Sequence, residues 1–233
     1  PLKLLQFADT TICIGQTATL HAAASGGYAP GYQLQWDHGL PVGNYVLVNP
    51  VVTTTYKVRL TDGCTTQPDS AFITVFVRPR LKVTVRTDTT ICNGQSVLLY
   101  AMGAGGDSLN HSFYWNNGAG NGKQIWVSPS VTTTYKVVLK DNCTTLSDSA
   151  LVTITVRPPL NVIANADTTI CIGQSAAVRV TNISGGDVAG YKYAWYNATT
   201  QALIATTSIT TVNPTVTTSY YVVVTDNCTS KSD

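Results

Sequence analysis

Six cysteines are the most reactive side chains of this chain, and their spacing sorts them into two sets. Cys13, Cys92 and Cys171 stand 79 residues apart, each inside the same line, DTTIC-x-GQ, at 9–16, 88–95 and 167–174. Cys64 and Cys143 are also 79 apart, and Cys228 follows 85 residues later. An even count with no Cys-x-x-Cys pair and no histidine cluster favours disulfide formation over zinc ligation or dithiol redox chemistry. Disulfides persist in an oxidising compartment.

The other groups able to do chemistry are sparse. Stepping 79 residues from His21 reaches Tyr100 and then Arg179, and His38 maps onto Asn117, so these two and His111 are isolated substitutions, not a shared acid–base site. There is no Gly-x-Ser-x-Gly, His-Glu-x-x-His or phosphate loop, and no catalysis is expected. Asp62, Asp141 and Asp226 close one strand of each repeat. Asp69, Asp148 and Asp233 follow soon after, and Asp9, Asp88 and Asp167 open the cysteine line. Calcium takes six to eight oxygens, which no compact Asp-x-Asp-x-Asp loop supplies here. The aspartates are therefore read as solvated turn residues, with no metal site and no cofactor.

These residues must be positioned by tandem units. Trp36, Trp115 and Trp195 fall between the two cysteines of each repeat, and Tyr56, Tyr135 and Tyr220 stand eight residues before the second. The third repeat carries one extra residue before its tryptophan and five after it, which places the insertion in loops. Composition agrees with packed β structure: 44% of residues are hydrophobic and 11% charged, all twelve acidic residues are Asp, and Thr stands in runs such as 53–55. In the second repeat, alternation marks strands at 81–87, 96–101, 112–115, 124–128, 133–140 and 149–156, separated by Asn-Gly, Gly-Gly-Asp and Asp-Asn turns. On the fifth, Tyr135, Val137 and Leu139 face a core and Lys136 and Lys140 face away. The line DTTIC-x-GQ is read as the end of the first strand turning into the second.

The pattern predicts an all-β chain of three tandem immunoglobulin-like antiparallel sandwiches at 1–79, 80–158 and 159–233. The links VRPRL (77–81) and VRPPL (156–160) are stiffened by proline, which predicts an extended rod. The tryptophans are read as core pins. The third sandwich lacks the sequence of its last strand, as in a piece of a longer array or as in an acceptor of a strand from another molecule. Any binding surface is expected where the repeats differ: around Tyr28 and Tyr32, around Asn110 and His111, near Trp126, and in the insertion 196–208.

Two disulfide wirings fit. One bridge per repeat is the usual plan of small secreted domains and is the expectation adopted: Cys13 with Cys64, Cys92 with Cys143, Cys171 with Cys228. Closing a loop of about 50 residues stabilises by about 4 kcal/mol in the chain-entropy model. In immunoglobulin order, however, the two cysteines of a repeat lie at opposite ends of a sandwich about 25 to 30 Å long, and stacked repeats would instead pair Cys13 with Cys143 and Cys92 with Cys228.

Fourteen basic against twelve acidic residues give a net charge of +2, too small to steer the chain toward nucleic acid or an anionic membrane. No apolar run reaches the 18 residues of a spanning helix, and PLKLLQFADTT lacks the regions of a signal peptide, so a soluble segment without membrane insertion is expected, any export signal lying outside it.

The segments ICNGQSVLLYA…FYWNNG…VSPSVTTTYKVVLKDNCTT and ICIGQSA…YAWYNATT…PTVTTSYYVVVTDNCTS resemble the tandem Ig-like and PKD-like repeats of giant Bacteroidota surface proteins. These include gliding-motility adhesins exported by type IX secretion. The PKD signature survives only as WDHG at 36–39. The resemblance implies a stalk or adhesive filament outside the outer membrane, whose partners are flanking repeats, surface polysaccharide or other copies. It also implies candidate O-glycosylation, in the pattern Asp, then Ser or Thr, then a small or aliphatic residue, at Thr10, Thr89, Thr168, Ser70, Ser149 and Ser108. The alternative function is a carbohydrate-binding module array on a secreted hydrolase.

Overall fold

A computed structural model describes residues 1–6, 8–64, 67–143 and 146–228. The first repeat holds β1 (Lys3–Gln6), β2 (Thr10–Cys13), β3 (Ala18–Ser25), β4 (Gln33–Trp36), β5 (Tyr45–Val48), β6 (Thr54–Thr61) and β7 (Asp69–Arg78). The second holds β8 (Lys82–Val85), β9 (Thr89–Cys92), β10 (Val97–Ala104), β11 (Ser112–Trp115), β12 (Gly120–Asn121), β13 (Gln124–Val127), β14 (Thr133–Lys140) and β15 (Asp148–Arg157). The third holds β16 (Asn161–Ala164), β17 (Ala176–Ser184), β18 (Lys192–Asn197), β19 (Leu203–Ala205), β20 (Ile209–Val212) and β21 (Tyr220–Thr225). The helical residues described are single 3-10 turns, such as Ala29–Gly31. The chain is thus a series of tandem Ig-like β repeats.

Two compact units divide it: residues 1–85, 100–123 and 136–150 form one, and 86–99, 124–135 and 151–233 the other. In the first unit, a sheet of order β1-β3-β5 packs on one of order β2-β7-β6-β4. Alternation decides which side chains meet. On β6 the pattern is strict, with Tyr56, Val58 and Leu60 buried and Lys57 and Arg59 exposed, because successive residues of a strand point to opposite faces. These three join Leu20, Ala22, Val46, Val48, Leu34, Ile73 and Val75 in one core around Trp36.

The indoles of Trp36, Trp115 and Trp195 are 3%, 6% and 2% exposed. Each buried N–H still finds an acceptor, donating to the carbonyl of Gly43, Gly122 and Thr207 respectively, at 2.9, 3.0 and 3.1 Å. Burial also pushes the phenols of Tyr56 and Tyr135 above the usual tyrosine range.

The cysteine line is not a turn between the first two strands of one sheet. It leaves the first sheet and becomes a strand of its own, β2, which runs parallel to β7 from Thr10 beside Val75 to Cys13 beside Arg78. In the second unit β9 does the same against β15, with Thr89 beside Ile154 and Cys92 beside Arg157. The antiparallel reading therefore fails for one strand of each of these repeats. The physical reason is Asp9, whose carboxylate accepts the N–H of Thr74 on β7 at 2.7 Å and holds the line against the last strand; Asp88 takes the N–H of Thr153 at 2.8 Å. Only the tail of the line turns. Gly15, Gly94 and Gly173 have φ of 87°, 84° and 89°, which glycine adopts without the Cβ clash.

In the third repeat β16 pairs with β17 and β18 with β21, but residues 165–171 form no strand. A cleft of about 620 Å³ lies beside them, lined among others by Ile170, Val178, Trp195, Val212 and Tyr220.

Replacing Trp36 by Ala removes the centre of a packed core and its N–H donor. A loss of about 3–5 kcal/mol is expected in chemical denaturation, against less than 1 kcal/mol for Lys57→Ala on the exposed face of β6.

Candidate functional site: the joint between successive repeats

The two cysteines of the first repeat are held far apart by β7. Cys13 lies beside Arg78, at its last residue, whereas the strand that leads to Cys64 pairs Leu60 with Asp69, at its first. Ten residues of strand span roughly 30 Å, and disulfide partners need Cα atoms within about 7 Å. The expected pairs within repeats therefore do not form. Cys13 is bonded to Cys143, with Cα atoms 5.7 Å apart, and Cys92 to Cys228, at 5.3 Å. Cys64 and Cys171 are exposed free thiols in this structure.

Each bridge joins a cysteine at the end of a parallel strand to a cysteine in the turn of the next repeat, and each lies wholly inside one unit. Local bonds fix both halves. On the strand side, the Cys13 N–H donates to Oε1 of Gln16 at 2.9 Å, as Cys92 does to Gln95 at 2.9 Å and Cys171 to Gln174 at 3.1 Å. On the turn side an aspartate organises the loop. Asp141 accepts the N–H of Asp107 at 2.6 Å and that of Cys143 at 3.2 Å. Asp226 accepts from Asp187 and, at 3.0 Å, from Cys228. Asp62, 1% exposed, accepts from Tyr28 at 2.8 Å and from Cys64 at 3.0 Å. The carboxylate accepts the N–H groups that the turn would otherwise leave unpaired, and a buried donor without an acceptor is costly.

An arginine completes each joint. Arg78, the last residue of β7, pairs with Asp107 at 3.2 Å and lies 3.8 Å from the Cys143 sulfur. Arg157 pairs with Asp187 at 3.0 Å and lies 3.9 Å from the Cys228 sulfur. These residues carry a signal that proline stiffness alone overlooks: Val-Arg-Pro recurs at 77–79 and 156–158, and Asp follows Gly-Gly at 107 and 187. Two glycines seat the link. A Cβ on Gly105 would come 2.0 Å from the Arg80 carbonyl oxygen and one on Gly185 1.9 Å from that of Pro159, so only glycine admits the chain there.

Asp69 and Asp148 are structural acceptors as well, not solvated turn residues. Asp69 takes the Leu4 N–H and Asp148 the Val83 N–H, both at 2.7 Å, tying the first strand of a repeat to its last. Among the described residues no group of three or more His, Cys or acidic side chains is placed to hold a metal, and Asp233 lies outside them.

The three histidines stay apart. His21 stacks on Tyr45 at 4.0 Å, His38 contacts Asp37 at 2.8 Å, and His111 bonds the Gly105 carbonyl at 2.9 Å. The last does what Tyr32 and Tyr191 do for Gly26 and Gly185. Of the residues suggested for glycosylation, Thr168, Ser70, Ser149 and Ser108 are exposed, and Thr10 and Thr89 are half-buried.

Residues 158–233 match the family model of the Ig-like domain described as CHU_C associated. No curated protein matches the chain. Among solved structures, the three N-terminal domains of the bacteriophage RB49 highly immunogenic outer capsid protein are 15% identical, with all of this chain and 93% of that one covered and a TM-score of 0.53. Sidekick-1 immunoglobulin domains 1–5 are 13% identical with a TM-score of 0.50, covering 97% of this chain. This chain spans 56% of that fragment. Both likenesses concern the fold alone.

Replacing Asp141 by Ala leaves the N–H groups of Asp107 and Cys143 without their carboxylate. A loss of about 1–3 kcal/mol is expected in denaturant titration of the oxidised protein, and Asp141→Asn, which keeps an acceptor oxygen, should recover part of it.

Proposed function

We propose that this chain is a structural and adhesive segment of a large bacterial surface protein, built as a stalk of Ig-like repeats at 1–79, 80–158 and 159–233. The observation that carries the reading is the joint. A covalent bridge, an arginine–aspartate pair and a glycine seat recur at two successive joints. Their physical effect is to lock one repeat onto the next so that load passes through a bridge as well as through the backbone. In the chain-entropy model, closing a loop of the size set by Cys13 and Cys143, 130 residues apart, stabilises by about 5 kcal/mol.

Disulfides of this kind fit an extracellular location at the cell surface. The partners in this reading are flanking repeats of the same kind, with other copies in a filament or a surface polysaccharide as further contacts. The gliding-motility adhesin type belongs to the same proposal, and so does glycan attachment at Thr10, Thr89, Thr168, Ser70, Ser149 and Ser108.

The test is labelling of intact cells of the producing organism with antibodies against these repeats, alongside a glycan array probed with the oxidised chain. Decoration of unpermeabilised cells and a silent array are expected. Label that appears only after permeabilisation would contradict the surface role, and saturable glycan binding would replace the stalk by a carbohydrate-binding array.

A further inference from the structure

The two free thiols occupy places whose equivalents are bridged. Cys64 is the first-repeat counterpart of Cys143 and Cys228, and its loop carries the same pair of bonds, with Asp62 accepting from Cys64 at 3.0 Å and from Tyr28 at 2.8 Å. Cys171 is the third-repeat counterpart of Cys13 and Cys92, and its N–H is held by Gln174 as theirs are by Gln16 and Gln95. Both thiols are exposed; the Cys64 loop has the bonds that hold the bridged turn cysteines, and the Cys171 turn keeps the glutamine bond of Cys13 and Cys92, although residues 165–171 form no strand.

We propose that Cys64 and Cys171 are half-sites for two further bridges of the same ladder, each taking the complementary cysteine of another repeat of this kind. Cys64 takes a cysteine at the end of a parallel strand, in an Ile-Cys-x-Gly-Gln setting like those of Cys13 and Cys92. Cys171 takes a turn cysteine, in an Asp-x-Cys-Thr setting like those of Cys143 and Cys228. The pairing is directional, because a strand-end cysteine and a turn cysteine are held by different bonds and meet in only one arrangement at the two joints observed. One difference sets the Cys64 half-site apart: Tyr28 stands where Asp107 and Asp187 receive the joint arginine. That joint lacks the ion pair and rests on the disulfide.

The chemistry is thiol–disulfide exchange with an oxidised dithiol protein of the extracytoplasmic compartment. The Cys64 thiolate attacks the oxidant's disulfide, forming a mixed disulfide and expelling one thiolate of the oxidant. The thiolate of the incoming repeat then attacks the Cys64 sulfur and expels the second. The two protons of the protein thiols end on the oxidant, which is reduced by two electrons to a dithiol while the new S–S bond is oxidised by two.

The inference rests on the extracellular reading, and one experiment separates their failures. The mature protein is taken from the cells that make it, its free thiols are alkylated at once, and its peptides are mapped without reduction. Cys64 is expected in a crosslinked peptide with an Ile-Cys-x-Gly-Gln partner and Cys171 with an Asp-x-Cys-Thr partner, neither carrying the alkyl group. On a denaturing non-reducing gel, a single species places the partner repeats in the same polypeptide, and a ladder of multiples that collapses on reduction places them in other copies; both support the proposal. Alkylated Cys64 or Cys171, or like-with-like pairs of either, would overturn it while leaving the proposed function standing so long as Cys13–Cys143 and Cys92–Cys228 are bridged. Alkylation of those four as well would remove the extracellular reading itself.

Discussion

The length of one strand governs the covalent plan of this chain. β7 and β15 each run ten residues and carry a strand-end cysteine beside the last, and on β7 the strand leading to the turn cysteine lies beside the first. Roughly 30 Å of extended backbone separates the two ends, several times the reach of a disulfide. A repeat therefore cannot close its own bridge. It presents one thiol at each end, and the bond that forms is the bond to its neighbour.

Around that constraint seven of the twelve aspartates serve as acceptors for backbone N–H groups. Asp9 and Asp88 fasten the parallel strand, Asp69 and Asp148 the first strand, and Asp62, Asp141 and Asp226 the turn that bears the second cysteine. A short, charged acceptor suits each place, because an ionised oxygen makes a stronger hydrogen bond than a neutral one, and a longer side chain would have to fold back to reach its own loop. The absence of Glu from all 233 residues is consistent with carboxylates placed for local geometry, not for surface charge.

Much of this was legible in the letters. Strict alternation on 133–140 gave the right faces because a half-buried strand repeats every two residues, and the strands read at 112–115 and 133–140 match those observed residue for residue. The cysteine line looks like a turn in sequence because its partner lies 65 residues away: a parallel pairing at that distance leaves no periodic mark, and Asp-Thr-Thr looks like turn chemistry wherever its carboxylate goes. The wiring is hidden for a related reason. Equal spacing says that the cysteines are equivalent but not at which end of a strand they lie. Arg78 and Arg157 do not stand out in sequence, because an arginine before a proline reads as part of a polar link until its aspartate is seen beside it.

In this covalent plan, bonds run from repeat to repeat and none closes within one. It is tested most directly by placing a single protease site between Pro79 and Arg80, cutting the oxidised chain there, and running the product on a denaturing gel without reductant. One band of unchanged mass is expected, splitting into 1–79 and 80–233 only when reductant is added, since Cys13 stays bonded to Cys143 across the cut. Two bands before reduction would contradict it.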